Sequence, residues 1–125
     1  MSLKVFTSNI NYNGGNGFDI TVKSGDFDFA PTWDMVWSHK NGTLSDDEYV
    51  EKYTKLMEDS YNRFPHKWEK LLSKEKVTLL CYCKKGKFCH RRLLAELLHL
   101  NFDNVEYIGE VNSKGELIQK YIGEQ

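Results

Sequence analysis

The chain has 125 residues, of which 40% are hydrophobic and 14% aromatic, and its formal net charge is −1. These values predict one folded domain over residues 1–125 and exclude a disordered chain. A nearly neutral chain is not expected to be a general nucleic-acid coat or a membrane-surface protein. The sequence lacks both a membrane-length apolar run and a signal-peptide pattern, so we expect a cytoplasmic protein with no membrane partner.

The first quarter of the chain predicts two strands joined by a polar loop. Residues Leu3–Ser8 form the first apolar strand pattern, and residues 9–17 are rich in asparagine and glycine, which favour loops. The alternating pattern of Phe18–Lys23 predicts a second strand, which ends at the turn Ser24–Asp26.

Three helices are predicted next. Pro31 suits the first turn of a helix, and Trp33 and Trp37 share one face of that helix. We expect both tryptophans to lie in the core; the alternative is that they form the wall of a base-sized pocket. Ser45 and Glu48 have the spacing of a capping box, and Tyr49, Tyr53 and Met57 follow at helical spacing. Pro65 ends that helix and starts the next one, whose apolar face consists of Trp68, Leu71 and Leu72.

A strand, a loop, a helix and a strand follow from residue 76 to residue 111. The apolar run Val77–Tyr82 predicts a buried strand, residues 89–100 have helical leucine spacing, and Val105–Val111 predicts a further strand. This unit favours a parallel pair with a right-handed crossover. We therefore expect an α/β fold, a small three-layer sandwich with a largely parallel sheet and a strand–loop–helix site at 77–100. The tail, residues 117–122, predicts either a hairpin strand or a short helix.

The loop of this unit concentrates the reactive residues of the chain. All three cysteines and five basic residues lie between positions 81 and 92, with no acidic residue among them. In the first interpretation the loop binds an anion: Lys84, Lys85 and Lys87 supply charge, Gly86 permits close backbone approach, and Arg91 or Arg92 offers a bidentate fork. The start of the following helix adds the positive end of its dipole.

A second interpretation is nucleophilic or redox chemistry by a cysteine. Cys89, beside His90 and Arg91 at a helix start, is the obvious thiolate, and Cys83 is the alternative or its resolving partner. The spacing is neither Cys-x-x-Cys nor Cys-x5-Arg, because Cys89 stands six positions after Cys83. Cys81 is expected to be a packed core residue, and three clustered cysteines do not suggest a disulfide framework.

A third interpretation is a zinc or iron site formed by Cys81, Cys83, Cys89 and His90, which is the right number of ligands for a tetrahedral metal. Against it, the spacing is unusual for zinc and five cations lie nearby. A further alternative is a non-catalytic partner-binding domain with a basic surface loop. The sequence assigns no cofactor.

Ser8 and Asn9 extend the candidate site because they follow the first strand. If that strand lies beside the 76–82 strand, the loops after both strands meet at one edge of the sheet. The Gly14–Gly17 run in the first of these loops is a weak signal by itself.

The stretch Leu79–Leu98, with its Cys81-Tyr82-Cys83 and Cys89-His90-Arg91 motifs, resembles the domain-of-unknown-function family 488 (DUF488), in its small phage and bacterial branch. The resemblance extends over most of residues 4–110. It implies a small α/β domain in which Cys81, Cys89, His90 and Arg91 match the family signature. It implies a fold and a site without a reaction.

The leading hypothesis from the sequence is an anionic, phosphate-bearing or nucleotide-like, small ligand bound at the 83–92 loop. Arg91 and the helix start would hold the anion, His90 would act as acid or base, and Cys89 would be a nucleophile or a structural thiol. The remaining ligand-binding candidates are Ser8, Asn9, Cys83, Lys84, Lys85, Gly86, Lys87 and Arg92.

Overall fold

The computed structural model describes residues 2–82 and 90–122. The elements in these ranges follow the predicted order, with an additional 3₁₀ turn at Phe27–Phe29. The tail forms a strand that pairs with the preceding one, which is the first of its two predicted alternatives. In chain order they are β1 (Leu3–Asn9), β2 (Gly17–Asp19), α1 (Trp33–Lys40), α2 (Asp46–Arg63), α3 (Pro65–Leu72), β3 (Lys76–Cys81), α4 (His90–Asn101), β4 (Val105–Val111) and β5 (Leu117–Lys120).

The strands of the described residues form one five-stranded sheet in the order β2-β3-β1-β4-β5. All neighbouring pairs are parallel except β4 and β5, which are antiparallel. The predicted α/β class and largely parallel sheet are therefore confirmed. β1 lies beside β3, as expected, with Asn9 opposite Cys81. β3 and β4 are parallel but not neighbours, because β1 lies between them and Val5 pairs with both Val77 and Tyr107.

One face of the sheet is covered by helices. α4 contacts β1, β3 and β4, and its Leu94 and Leu98 are buried in the same core as Leu3 and Val5 of β1. α2 and α3 contribute to this core as well, through side chains that include Trp68. The functional side chains of α4 are therefore held against the sheet by a continuous apolar core.

The 10–16 loop lies on the other face of the sheet. A Cβ atom at Gly17 would stand 3.4 Å from the Tyr12 ring and 2.9 Å from the Leu80 side chain, which points to the face opposite the core. The crossovers β2–β3 and β3–β4 run in the same direction across the sheet, so right-handed connections place both sets of helices on one face. The connection β1–β2 runs the other way. The third layer of the expected sandwich is thus the loop rather than helices.

Local capping residues define the helix bounds. Ser45 and Glu48 form the predicted capping box, in which the Ser45 hydroxyl accepts from the Glu48 N–H and the Glu48 carboxylate accepts from the Ser45 N–H. Pro65 occupies the first turn of α3, where the missing N–H costs nothing. Tyr49, Tyr53 and Met57 are buried, as predicted.

The prediction that the tryptophans of the first helix lie in the core is wrong. Trp33 and Trp37 are 49% and 55% exposed, and their rings stack on each other with centroids 6.5 Å apart. Met35 is the buried residue of α1. α1 contacts α2, and its tryptophan face remains at the surface.

β2 is shorter than the predicted strand Phe18–Lys23. It ends at Asp19, whose carboxylate accepts hydrogen bonds from the Thr21 N–H at 2.9 Å and from the Ser24 hydroxyl at 2.6 Å. An aspartate that bonds the backbone two residues later folds the chain into a turn. The alternating pattern after Asp19 therefore belongs to a turn and not to a strand.

Candidate functional site

The carboxyl ends of β1 and β3 form the centre of the candidate site. Asn9 and Cys81 lie opposite each other there, the Ile10 N–H donates to the Cys81 carbonyl at 2.9 Å, and the Asn9 amide donates to the Tyr82 carbonyl at 3.4 Å. After β1 the chain turns to the face covered by Tyr12, whereas β3 leads to α4 on the opposite face. Neighbouring parallel strands whose connections diverge leave a crevice at their carboxyl ends.

Arg91, in the first turn of α4, is buried and bound to Glu110 at the end of β4. Its Nε donates to Glu110 Oε1 at 3.2 Å, and its Nη2 donates to Oε2 at 2.7 Å. The third nitrogen, Nη1, donates to the Cys81 sulfur at 2.9 Å. The expected fork of Arg91 therefore exists, but it holds a carboxylate of the protein itself.

His90 is buried beside Arg91 and uses its ring to join α4 to the segment after β2. Its Nε2 donates to the Ile20 carbonyl at 2.7 Å, since a carbonyl oxygen can only accept, and its ring packs against Tyr53 with centroids 5.8 Å apart. Burial, together with the Arg91 charge, lowers the pKa of His90 to about 4, although the Ile20 hydrogen bond and the Asp19 charge oppose the shift. The imidazole is therefore neutral near pH 7, with Nδ1 as the basic nitrogen.

A second buried polar group lies next to this pair. The Tyr107 hydroxyl is 2.8 Å from the Thr7 hydroxyl, and the half-buried Arg92 lies near it. Burial raises the pKa of Tyr107, although the hydrogen bond with Thr7 and the positive charge of Arg92 oppose that shift. Arg92 thus lies near the sheet edge, and its role as a ligand-binding residue stays a prediction.

Ser8 and Asn9 lie at the same edge, on the side of the 10–16 loop. The Ser8 hydroxyl is buried and donates to the Val111 carbonyl at 2.7 Å, so it joins β1 to β4. Both residues line a hollow of about 200 Å³. Its other lining residues are Asn11, Tyr12, Glu110, Val111, Asn112, Ser113 and Ile118.

Cys81 differs from its prediction as a simple packed core residue. It is 1% exposed, which agrees with packing, but it is also disulfide-bonded. A disulfide sulfur is not a thiolate ligand, so the metal alternative lacks one of its four residues in this state. Within residues 2–82 and 90–122, no group of three or more His, Cys, Asp or Glu side chains could hold a metal ion.

The rest of the predicted site lies outside the described residues. This applies to Cys83, Lys84, Lys85, Gly86, Lys87 and Cys89. Of the predicted site residues that are described, Ser8, Asn9, Cys81, His90, Arg91 and Arg92 all lie at or beside the carboxyl edge of the sheet.

Sequence reasoning missed Glu110, Thr7 and Tyr107. Each of them is a polar residue within an otherwise apolar strand pattern. Glu110 is a carboxylate whose two neighbours in the strand, Gly109 and Val111, are both buried. Such a residue needs a partner of opposite charge. The partner, Arg91, lies 19 positions away in the sequence, so the pair could not be identified from spacing.

Comparison with known proteins identifies a family. A family model described as DUF488-N3a, the active DUF488-N3 subclade, matches residues 15–101, which is most of the chain. No curated protein and no solved structure matches. The DUF488 resemblance of the Cys81–Arg91 region is thereby confirmed. In the described ranges, no helix combines the length and the apolar character needed to cross a bilayer.

Proposed function

The chain belongs to the DUF488-N3a family, and from this premise we propose that it binds a phosphate-bearing or other anionic small ligand at the carboxyl edge of β1 and β3. The observation that carries the proposal is the divergence of the two connections, one to each face of the sheet, at Asn9 and Tyr82. Ligands of open α/β sheets bind in such crevices. The start of α4 faces the same edge, and helix N-termini favour anions.

The residues proposed to bind the anion come from two sources. Asn9, Arg92 and the first backbone N–H groups of α4 are placed near the edge by the fold. Lys84, Lys85 and Lys87, with Gly86, are assigned from the sequence alone, because a basic loop directly before a helix start concentrates donors for phosphate oxygens.

Arg91 takes a different role in this proposal. Its guanidinium bonds Glu110 at two nitrogens and Cys81 at the third. A bidentate bond to a buried carboxylate is not given up without leaving Glu110 uncompensated, which costs several kcal/mol, roughly 3–5. Arg91 is therefore a positioning residue that holds the start of α4 against the sheet.

We extend the proposal to catalysis by His90 and Cys89. His90 would act as the general acid or base, because its imidazole is neutral near pH 7 and the Ile20 carbonyl fixes the orientation of the ring. Cys89 precedes it at the helix start, where thiolates are favoured. The word "active" in the description of the family model supports an enzymatic role.

Binding is tested by thermal and urea unfolding with inorganic phosphate and with adenosine monophosphate, each at constant ionic strength. At ten times its Kd, a ligand adds about 1.4 kcal/mol to the free energy of unfolding. We expect this gain in wild type and its loss when Lys84, Lys85 and Lys87 are replaced by glutamine. The matched control replaces Lys52, Lys55 and Lys70, exposed lysines of α2 and α3, by glutamine.

The control triple variant has the same change of charge at a distance from the edge, so it should keep the full gain. An equal loss in both triple variants would show a general charge effect and would contradict a site at the loop. No gain in wild type with either probe would contradict the proposal as well.

Catalysis is tested by incubating the protein with a panel of nucleoside mono- and diphosphates and separating the products by chromatography. We expect a product with wild type and none with His90→Gln. The glutamine amide can still donate to the Ile20 carbonyl, so this variant should keep the increase in the free energy of unfolding that the ligand causes. Binding without any product would contradict the catalytic part of the proposal and leave a non-catalytic binding domain.

A further inference from the structure

A larger cleft lies among the helices, at the opposite end of α4 from Arg91. It has a volume of about 430 Å³ and is lined by side chains of α2, α3 and the end of α4, together with Phe102. The described residues of the proposed anion site are not among those that line it. We propose that this cleft binds an organic cation with a trimethylammonium head group, held between aromatic rings and the Glu58 carboxylate.

Three aromatic rings form the apolar part of the lining. The centroid of the Tyr61 ring lies 5.7 Å from that of Trp68, with the ring planes at 84°, and 5.9 Å from that of Phe102, with the planes at 54°. Trp68 is 3% exposed and Tyr61 is 44% exposed, so the indole belongs to the floor of the cleft and the phenol to its rim. Aromatic faces attract cations, and groups of such rings bind quaternary ammonium ions.

Several hydrogen-bond donors of the lining are already used within the protein. Trp68 Nε1 donates to the Ser60 hydroxyl at 3.0 Å, and the Thr54 hydroxyl donates to the Val50 carbonyl at 2.7 Å. The Asn101 amide donates to a carbonyl of its own helix at 2.8 Å. An anionic ligand therefore finds few donors in this cleft, whereas a cation needs none.

Glu58 supplies the charge of the cleft. Among the described residues that line it, Glu58 alone is charged. The two basic residues nearest to it in α2 are paired elsewhere, Lys55 with Glu51 and Arg63 with Asp59. In the described part of the chain, the Glu58 carboxylate itself forms no ion pair and no hydrogen bond. A bound cation would therefore meet a complementary charge.

The combination of rings and one carboxylate favours a methylated ammonium ion over a bare one. A primary ammonium is a compact, strongly hydrated charge that loses much of its hydration when it enters an apolar cleft. Methyl groups on the nitrogen present apolar surface, which is buried favourably against the rings, while the positive charge is kept. The volume of about 430 Å³ lies within the usual range for small-molecule sites.

The test titrates isotope-labelled protein with choline at constant ionic strength and follows the Trp68 indole N–H signal by NMR. The chain has three tryptophans, so Trp33→Phe and Trp37→Phe identify the Trp68 signal by elimination. A second titration uses the tert-butyl analogue of choline, in which a carbon atom replaces the nitrogen. We expect a saturable shift with choline and about tenfold weaker binding of the uncharged analogue, which has the same shape.

Two variants assign the binding to the ring and the charge separately. Tyr61→Leu keeps an apolar side chain but removes one ring, and Glu58→Gln keeps the size of the side chain but removes its charge. Each should weaken choline binding by about three- to fivefold and leave binding of the uncharged analogue within about twofold of wild type. The matched control is Glu106→Gln, which changes an exposed carboxylate of β4 and should bind choline as wild type does.

Several results would overturn the proposal. Equal affinity for choline and its uncharged analogue would show a purely apolar cleft, and a Trp68 signal that does not respond to choline would exclude the site. A Trp68 signal that changes with protein concentration instead would assign the cleft to a second copy of the chain. Choline binding that is unchanged in Glu58→Gln would also contradict it, and this exposed substitution decides alone if Tyr61→Leu fails to fold. Phosphate takes no part in these measurements, so they test this site independently of the proposed anion site.

Discussion

Arg91 and Glu110 form a buried bidentate ion pair that joins the first turn of α4 to the end of β4. The pair fixes the helix start against the edge of the sheet, and with it the neighbouring His90 and the contact to Cys81. Two charges removed from water repay their desolvation only through such good mutual geometry. The pair is thus the structural centre of the candidate site.

Breaking this ion pair from one side is expected to be costly. Arg91→Met alone leaves the Glu110 charge buried and should lower the free energy of unfolding by about 3–5 kcal/mol. Arg91→Met with Glu110→Leu should recover most of that loss, because no lone charge remains. Urea unfolding measures both, and Asp59→Leu in the exposed pair with Arg63 is the control, expected to cost less than ~1 kcal/mol. A double variant as unstable as the single one would contradict this account.

Protonation of His90 is expected to destabilise the folded protein in mild acid. Its pKa is about 4 in the folded protein and near 6.5 when exposed, so the unfolded chain binds the proton first as the pH falls. The contribution of the neutral His90 to the free energy of unfolding is complete above pH ~6.5 and is lost as the pH falls to about 4. Roughly 2.5 kcal/mol of it is lost by pH ~4.5.

The measurement for His90 is urea unfolding at pH values between 7.5 and 4.5. His90→Gln should flatten this pH dependence, because the amide still donates to Ile20 but does not titrate. His66→Gln is the control, since the His66 side chain is 95% exposed, and it should retain the wild-type slope. An unchanged slope in His90→Gln would assign the acid sensitivity to other groups.

Gly109 is a position where a side chain should not be tolerated. Its φ is +151°, and a Cβ atom there would lie 2.2 Å from the Gln119 carbonyl oxygen of β5. Gly109→Ala should therefore cost about 1–3 kcal/mol through displacement of the β4–β5 hairpin. Gly15→Ala, whose Cβ would meet nothing within 4 Å, is the matched control. Equal unfolding free energies for the two variants would show that the hairpin adapts.

The local elements of this fold could be predicted from the sequence because their causes are local. The Ser45–Glu48 capping box and Pro65 mark helix starts by hydrogen bonds and a fixed φ within a few residues. The apolar runs of β3 and β4 predicted strands at the correct positions. The position of the candidate site followed from the same patterns, since it depends only on a strand, a loop and a helix start in succession.

The partners within the site were decided by the tertiary structure. Arg91 contacts Glu110 because β4 lies beside β1, with a register shift after Val5. His90 is neutral because α4 buries it against Tyr53 and the Ile20 carbonyl. Trp33 and Trp37 share a helix face in the sequence, yet whether that face is buried depends on which elements pack on α1. Sequence spacing determines which residues share an element, whereas burial and charge partners depend on strand order and packing, which no short pattern contains.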